Sequence, residues 1–173
     1  MTPKDLIFPA FAQMLEALSG QLDKARETFD SEGKSVETLM AARLAPDMFP
    51  LSSQVQFVCI QSEEAIGRLF DRDIAAIEAP PSFDAAKALI SQTIDRLRAA
   101  HESEAQVDSA RDIALELQNG MTFDLDAPEY VRSWLIPQFY FHLITAYAIM
   151  RSHGVGLGKP DYVPHMFRFL RRD

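Results

Sequence analysis

The sequence predicts an all-α fold, a four-helix bundle with a small β-hairpin between the third and fourth long helices. Over three long segments, apolar side chains recur every three or four residues, which is the spacing of one helix face, and a fourth long segment is apolar nearly all round. Proline and glycine separate these segments, and the period changes to two over residues 111–126, as is typical of strands. Because 173 residues is the size of one ordinary domain, we expect residues 1–173 to form a single helical-bundle domain.

The first helix is predicted from Lys4 to about Phe29. Pro3 suits the first helical turn, where its missing N–H costs nothing, and the polar residues 31–33 favour a stop. A short capped segment is predicted after Ser35. The core-facing residues of the first helix are predicted to be Ile7, Phe11, Met14, Leu18, Leu22, Ala25 and Phe29.

The second and third helices follow proline-containing turns. Pro46 and Pro50 mark a turn before the second helix, and Pro80 and Pro81 precede Ser82, a candidate N-cap for the third. The third helix is predicted to end near His101. The second helix should bury Leu51, Val55, Val58, Ser62, Ile66 and Leu69, and the third Phe83, Ala86, Ile90, Ile94 and Leu97.

Residues 111–126 alternate apolar and polar side chains around Asn119-Gly120, a strong signal for a tight hairpin turn. A two-stranded hairpin is barely stable alone, so we expect it to pack over one end of the bundle. Asp126 and Pro128 then favour the start of a fourth helix that reaches about Gly154. Pro137 predicts a kink or break near Ile136.

The fourth helix carries no charged side chain from Leu135 to Met150 when His142 is neutral. It should therefore be central, and part of its surface is expected to face a second copy of the chain in a symmetric homodimer. The stretch is too short and too interrupted to span a membrane. Its aromatic residues point in several directions: Trp134, Phe139, Phe141 and Tyr147.

Composition excludes several functional classes. The net charge of −8, from 17 Lys and Arg against 25 Asp and Glu, argues against a nucleic-acid partner. The basic residues Arg168, Arg171 and Arg172 are interpreted as a solvated tail. Cys59 is the single cysteine, so no intrachain disulfide can form, and no signal sequence is apparent; we expect a cytoplasmic protein without a membrane partner.

A row of uncharged polar residues, Gln138, His142 and Thr145, lies on one face of the fourth helix. A buried imidazole or amide must find a partner or lose about 1–3 kcal/mol, so the row predicts hydrogen bonds, water or a ligand inside the bundle. The predicted matching row on the second helix is Ser52, Gln56, Cys59 and Glu63.

This row has two interpretations. The residues can simply satisfy one another and fix the helix register, as most buried polar groups do. Alternatively they form a small-molecule or metal pocket in which His142 is a ligand and Gln138, Glu63 or Cys59 lies nearby. A firm zinc or nickel site needs three or four good ligands, and glutamine is a poor one.

Three other candidate sites give weaker evidence for binding or catalysis. Residues 154–159 are rich in glycine but lack the Ser or Thr of a phosphate-binding loop, and they follow a helix instead of a strand. Cys59 is interpreted as an inert buried thiol. Arg43 and Asp47 flank Pro46 in a loop and form a second candidate site, for which a structural salt bridge is the simpler explanation.

Three segments resemble the bacterial domain of unknown function 1993 family, in that family's order. They are residues 42–50 (ARLAPDMFP), residues 139–149 (FYFHLITAYAI) and residues 156–159 (GLGK). This family is similar to the DinB-like superfamily of four-helix bundles, which are often dimeric. The better known superfamily members bind a divalent metal through three histidines, and some are thiol-dependent transferases or isomerases.

The resemblance places one metal ligand on the second helix and a His-x-x-x-His pair on the last. It aligns His142 with the second histidine of that pair and Gln138 with the first, and residues 48–70 contain no histidine. We therefore expect a bacterial small-molecule-binding or structural homodimer, with Gln138, His142 and Thr145 as binding residues and no intact three-histidine site. The alternative is a metal-dependent hydrolase or thiol transferase that uses His142 with Glu63 or Cys59.

Overall fold

The computed structural model describes residues 2–108, 110–117 and 119–171, which are mostly helical with one small antiparallel hairpin. A π-helical turn spans Val131–Leu135, and a 3₁₀ helix spans Pro164–Phe169. The other elements, in order, are α1 (Pro3–Ser31), α2 (Glu37–Met40), α3 (Leu51–Phe70), α4 (Phe83–Glu102), β1 (Asp112–Glu116), β2 (Thr122–Asp126), α5 (Ala127–Tyr130), α6 (Ile136–Ser152) and α7 (Lys159–Tyr162).

Local signals set the starts of the helices. At α1, Asp5 N–H donates to the Thr2 hydroxyl and Thr2 N–H donates to the Asp5 carboxylate, which forms a capping box. At α4, the Ser82 hydroxyl accepts from Ala85 N–H at 3.1 Å, as the sequence predicted. Every core-facing residue predicted on α1 and α4 is buried.

α3 begins directly after Pro50, as predicted, and ends where Asp71 takes a left-handed conformation with φ of 57°. Its predicted core residues are buried except Ile66, which is half-buried. α3 packs against α4 and α6, while α1 packs against α4, α6 and α7. The core lies where these long helices meet.

The predicted hairpin is confirmed. β1 pairs with β2 antiparallel, with Ile113 opposite Leu125, and the turn closes where Gly120 N–H, at φ of 83°, donates to the Leu117 carbonyl. Ile113 and Leu115 are buried, whereas Phe123 is exposed. On α3, Arg68 donates to the β1 backbone at Ala114, so the hairpin packs against the C-terminal end of that helix.

Pro137 does not break the last long helix. The π turn over Val131–Leu135 precedes it, and Ile136 N–H bonds to the Val131 carbonyl, five residues back. This wider turn re-pairs the backbone groups next to the proline, which has no N–H of its own. The helix therefore continues to Ser152, and Gly154 follows with φ of 89°.

α6 is only partly enclosed. Phe139 is fully buried and stacks on Phe11 of α1, with ring centroids 3.7 Å apart, but Phe141 and Ile144 are 55% and 44% exposed. The expectation of a central helix therefore holds for one face alone. Within the described ranges, no helix is long and apolar enough to cross a membrane.

We expect Phe139→Ala to lower the free energy of unfolding by about 3–5 kcal/mol, because it removes a fully buried ring and the stacking of that ring on Phe11 of α1. Urea unfolding followed by circular dichroism measures the change. Leu6→Ala, at a residue of α1 that is 55% exposed, is the matched control and should cost far less. Equal losses in the two variants would contradict the packing of α6 described above.

Candidate functional site

The candidate site is built around His142, on the side of α6 that faces α3. His142 Nδ1 lies 2.9 Å from Oε1 of Gln54, and Gln54 Nε2 donates to the Phe49 carbonyl at 3.1 Å. Because a backbone carbonyl only accepts, this second bond orients the Gln54 amide so that Oε1 faces the imidazole. His142 Nδ1 therefore carries the hydrogen and donates it to Gln54.

Partial burial keeps this imidazole neutral. The Phe57 and Phe141 ring centroids lie 4.8 and 5.2 Å from that of His142. Burial lowers the pKa of His142 to about 4, because a low-dielectric environment disfavours the charged form. With Nδ1 protonated, the lone pair is on Nε2, which forms no hydrogen bond within the described part of the chain. Nε2 can accept a hydrogen bond from a ligand.

The two other predicted site residues differ in what they offer. Gln138 lies one turn before His142 on the same helix and is half-buried. Thr145 is buried, and its hydroxyl donates to the Phe141 carbonyl at 2.7 Å, four residues back on its own helix. The Thr145 hydroxyl hydrogen is therefore already bonded within α6. The Gln138 amide remains a candidate contact for a ligand.

The polar row predicted to oppose His142 faces elsewhere. Gln56 Nε2 donates to the Ile77 carbonyl at 2.6 Å, and Glu63 pairs with Arg96 of α4 at 2.5 Å. Cys59 is fully buried beside Thr93, also on α4, and burial raises the pKa of its thiol to about 12. Ser52 is half-buried in the first turn of α3. None of these four is the hydrogen-bond partner of His142.

Sequence reasoning missed Gln54, which is that partner. The sequence did contain a signal for Gln54. Gln61, Glu64 and Arg68 follow it at helical spacing, so these four polar residues share one face of α3. α3 thus carries two polar rows. Local spacing alone did not show which of them meets α6.

The metal site implied by the DinB-like resemblance does not fit the residues present. Across the described ranges, no group of three or more His, Cys, Asp or Glu side chains is placed to hold an ion. The polar side chains next to His142 on α3 and α6 are the amides of Gln54 and Gln138. Both ends of the Gln54 amide already form hydrogen bonds, one to His142 and one to the Phe49 carbonyl. Amides are weak ligands for zinc-type ions.

The loop candidate forms no ion pair between Arg43 and Asp47 in the described structure. Both residues are exposed, and Arg43 Nη1 lies 3.4 Å from the Met48 carbonyl instead. The predicted structural salt bridge is therefore replaced by a long contact to the backbone. This loop brings together no second polar group that would bind a ligand.

Comparisons with known proteins identify the family of the chain and a structure of similar fold. Residues 4–163 match the family described as Domain of unknown function (DUF1993). The fold is similar to the crystal structure of a DinB family member protein from Shewanella denitrificans, with a TM-score of 0.79 and 27% sequence identity, over 92% of this chain and 90% of that chain. No match was found among functionally curated proteins. Since the family match covers most of its length, the chain belongs to the DUF1993 family.

Proposed function

We propose that this protein binds a small molecule at the Gln54–His142 contact, as a single-domain four-helix bundle that associates as a homodimer. The observation that carries the proposal is the oriented imidazole. The Phe49 carbonyl orients the Gln54 amide, the amide orients His142, and Nε2 is left as a neutral acceptor beside aromatic rings. A partner with an N–H or O–H group would bond to Nε2 and pack its apolar part on Phe57 and Phe141.

The same contacts favour an organic ligand over a metal ion. The alternative, a metal-dependent hydrolase or thiol transferase of the DinB-like type, needs further ligands beside His142. Glu63 is paired with Arg96, and the Cys59 thiol is buried against α4. Neither side chain is available to share an ion with His142.

Exposed apolar side chains around the site support the homodimer. Phe49 packs on Phe57, Phe57 packs on His142, and His142 packs on Phe141, with Ile144 three residues further along α6. We call Phe49, Phe57, Phe141 and Ile144 the apolar patch. Phe49 is 61% and Phe141 55% exposed. An isologous contact through this patch would cover the apolar surface and enclose the imidazole site from outside.

The lowered pKa of His142 makes stability depend on pH. An unfolded histidine titrates near 6.5, so between that pH and about 4 the unfolded chain binds a proton that the folded chain does not. Stability due to this site is complete above pH 6.5 and falls as the solution is acidified. We expect the wild type to lose about 1–2 kcal/mol more than His142→Asn between neutral pH and about pH 5.

Urea unfolding at a series of pH values measures this difference. Long-range ¹H–¹⁵N spectra report the tautomer directly, and we expect the Nδ1–H form of His142 to persist at pH 6. His153→Asn, at the exposed C-terminal end of α6, is the matched control and should follow the wild-type pH profile. A doubly protonated His142 ring at pH 6 would contradict the proposed neutral acceptor.

Metal analysis separates the two candidate functions. We expect untagged protein, purified without chelators, to hold well under one zinc, nickel or manganese ion per chain. The double variant Gln54→His/Gln138→His should bind zinc, because it supplies two more imidazoles at the positions that surround His142. Stoichiometric metal in the wild type would support the metalloenzyme alternative and contradict the proposal.

Light scattering after gel filtration tests the homodimer. We expect a mass near twice the 19.5 kDa of one chain for the wild type. Phe141→Asp should give a monomer with unchanged helical circular dichroism, because it places a charge in the buried part of the proposed interface. Leu6→Asp alters a residue that is also 55% exposed, but on α1, and should remain dimeric. A monomeric wild type at every concentration would disprove the dimer.

A further inference from the structure

The connection between α3 and α4, residues 72–82, is a crossover strap that runs back along both helices. Cys59 lies beside Thr93, and Glu63 pairs with Arg96, so higher numbers on α3 meet higher numbers on α4. The two helices are therefore parallel. A connection between parallel helices must return over their full length, which is about 30 Å for the 20 residues of α3.

This distance requires the strap to be extended. Its residues would span about 17 Å as an α-helix but about 36 Å as an extended chain. Residues 72–81 belong to no helix or paired strand. Ile74 lies against Gly67 near the end of α3, whereas Ile77 bonds to Gln56 nearer its start. The strap therefore runs antiparallel to α3.

The backbone of the strap is largely unpaired. Within the described structure, one hydrogen bond reaches the backbone of residues 73–81, where Gln56 Nε2 donates to the Ile77 carbonyl at 2.6 Å. In an extended chain, the N–H and C=O of one residue point to the same side, and those of its neighbours point to the opposite side. Because the Ile77 carbonyl faces α3, the backbone groups of Ala76 and Glu78 face away from α3.

A cleft of about 410 Å³ separates the strap from α4. Ala76 and Glu78 line it on the strap side, and Leu89 and Gln92 line it on α4. Ligand sites begin at about 300 Å³, so the cleft has room for a small ligand. The unpaired N–H and C=O groups of Ala76 and Glu78 can therefore bond to a molecule bound there.

One end of the cleft carries a net positive charge. A second cavity of about 220 Å³ adjoins it, since Glu63 and Arg96 line both. Arg72 also lines this second cavity, and it forms no ion pair within the described part of the chain. Glu63 offsets the charge of Arg96, which leaves the single positive charge of Arg72. This charge matches one carboxylate group.

We propose that the cleft binds the C-terminal end of a peptide whose backbone pairs with the strap. The peptide would run antiparallel to the strap, so that its carboxylate reaches Arg72 while its backbone bonds to Ala76 and Glu78. Arg72 and Ala76 are about 13 Å apart along an extended chain, which is the span of about four peptide residues. This site shares no residue with the His142 site and goes beyond the function proposed there.

N-acetyl-tetra-alanine with a free carboxylate is the probe, because the cleft is lined mainly by alanine, proline and leucine and suits small side chains. We expect it to shift the backbone ¹H–¹⁵N signals of Ala76 and Glu78 saturably. Its C-terminal amide, which lacks the charge, should bind at least about tenfold more weakly. The fully N-methylated acid keeps the carboxylate but has no N–H for the strap, and it should also bind at least about tenfold more weakly.

Two pairs of variants test the contacts from the protein side. Arg72→Gln should weaken binding of the acid by about tenfold or more, because it removes the charge that pairs with the carboxylate. Arg151→Gln, at an exposed arginine of α6, is the matched control and should not. Ala76→Pro removes an N–H that faces the cleft, whereas Ala75→Pro removes one that faces α3. Only Ala76→Pro should weaken binding.

Three results would overturn the proposal: no saturable shift of the strap signals up to the solubility of the peptide, equal affinity for acid and amide, or equal binding by the two proline variants with their folds intact. If a proline variant fails to fold, the N-methylated acid tests the same hydrogen bonds, and binding as tight as that of the unmodified acid would overturn the pairing. Acetate that binds as tightly as the peptide would reduce the site to a simple anion site and would also overturn the proposal.

Discussion

Hydrogen bonding between α3 and α6 is the constraint on which the rest of the site depends. A polar group buried between two helices must be paired, and the Gln54–His142 bond pairs two of them while fixing the rotation of both helices. The Phe49 carbonyl completes the chain of bonds, because it orients the amide that orients the imidazole. Burial of the ring keeps His142 neutral, because it disfavours the charged form.

The π turn links the backbone to this side-chain chemistry. Pro137 removes one helical hydrogen bond, and the turn before it re-pairs the neighbouring groups without ending the helix. Beyond this turn, at the other end from His142, the Tyr130 ring also contacts α3, where its centroid lies 5.8 Å from the Arg68 guanidinium.

The elements could be predicted from the sequence because their signals are local. Apolar spacing, the Ser82 cap and the Asn119-Gly120 turn each act within a few residues, and the structure confirms them. The partner of His142 could not be predicted, because α3 carries polar groups on two faces. Which face meets α6 depends on how the helices pack, a property of the whole chain. Pro137 likewise signals a disturbed helix, but not whether the chain breaks there or widens.

The departure from the three-histidine pattern lies in the missing ligands and not in the tautomer of His142. A histidine that binds a metal also donates one ring N–H to an acceptor and keeps the other lone pair for the ion, as the Gln54 bond arranges here for Nδ1 and Nε2. Within the described residues, however, no group of three or more His, Cys, Asp or Glu side chains is placed to hold an ion. The amides of Gln54 and Gln138 are weak ligands for a cation, but they can donate and accept hydrogen bonds. The proposed binding of a neutral, hydrogen-bonding ligand rests on this pairing of Gln54 with His142.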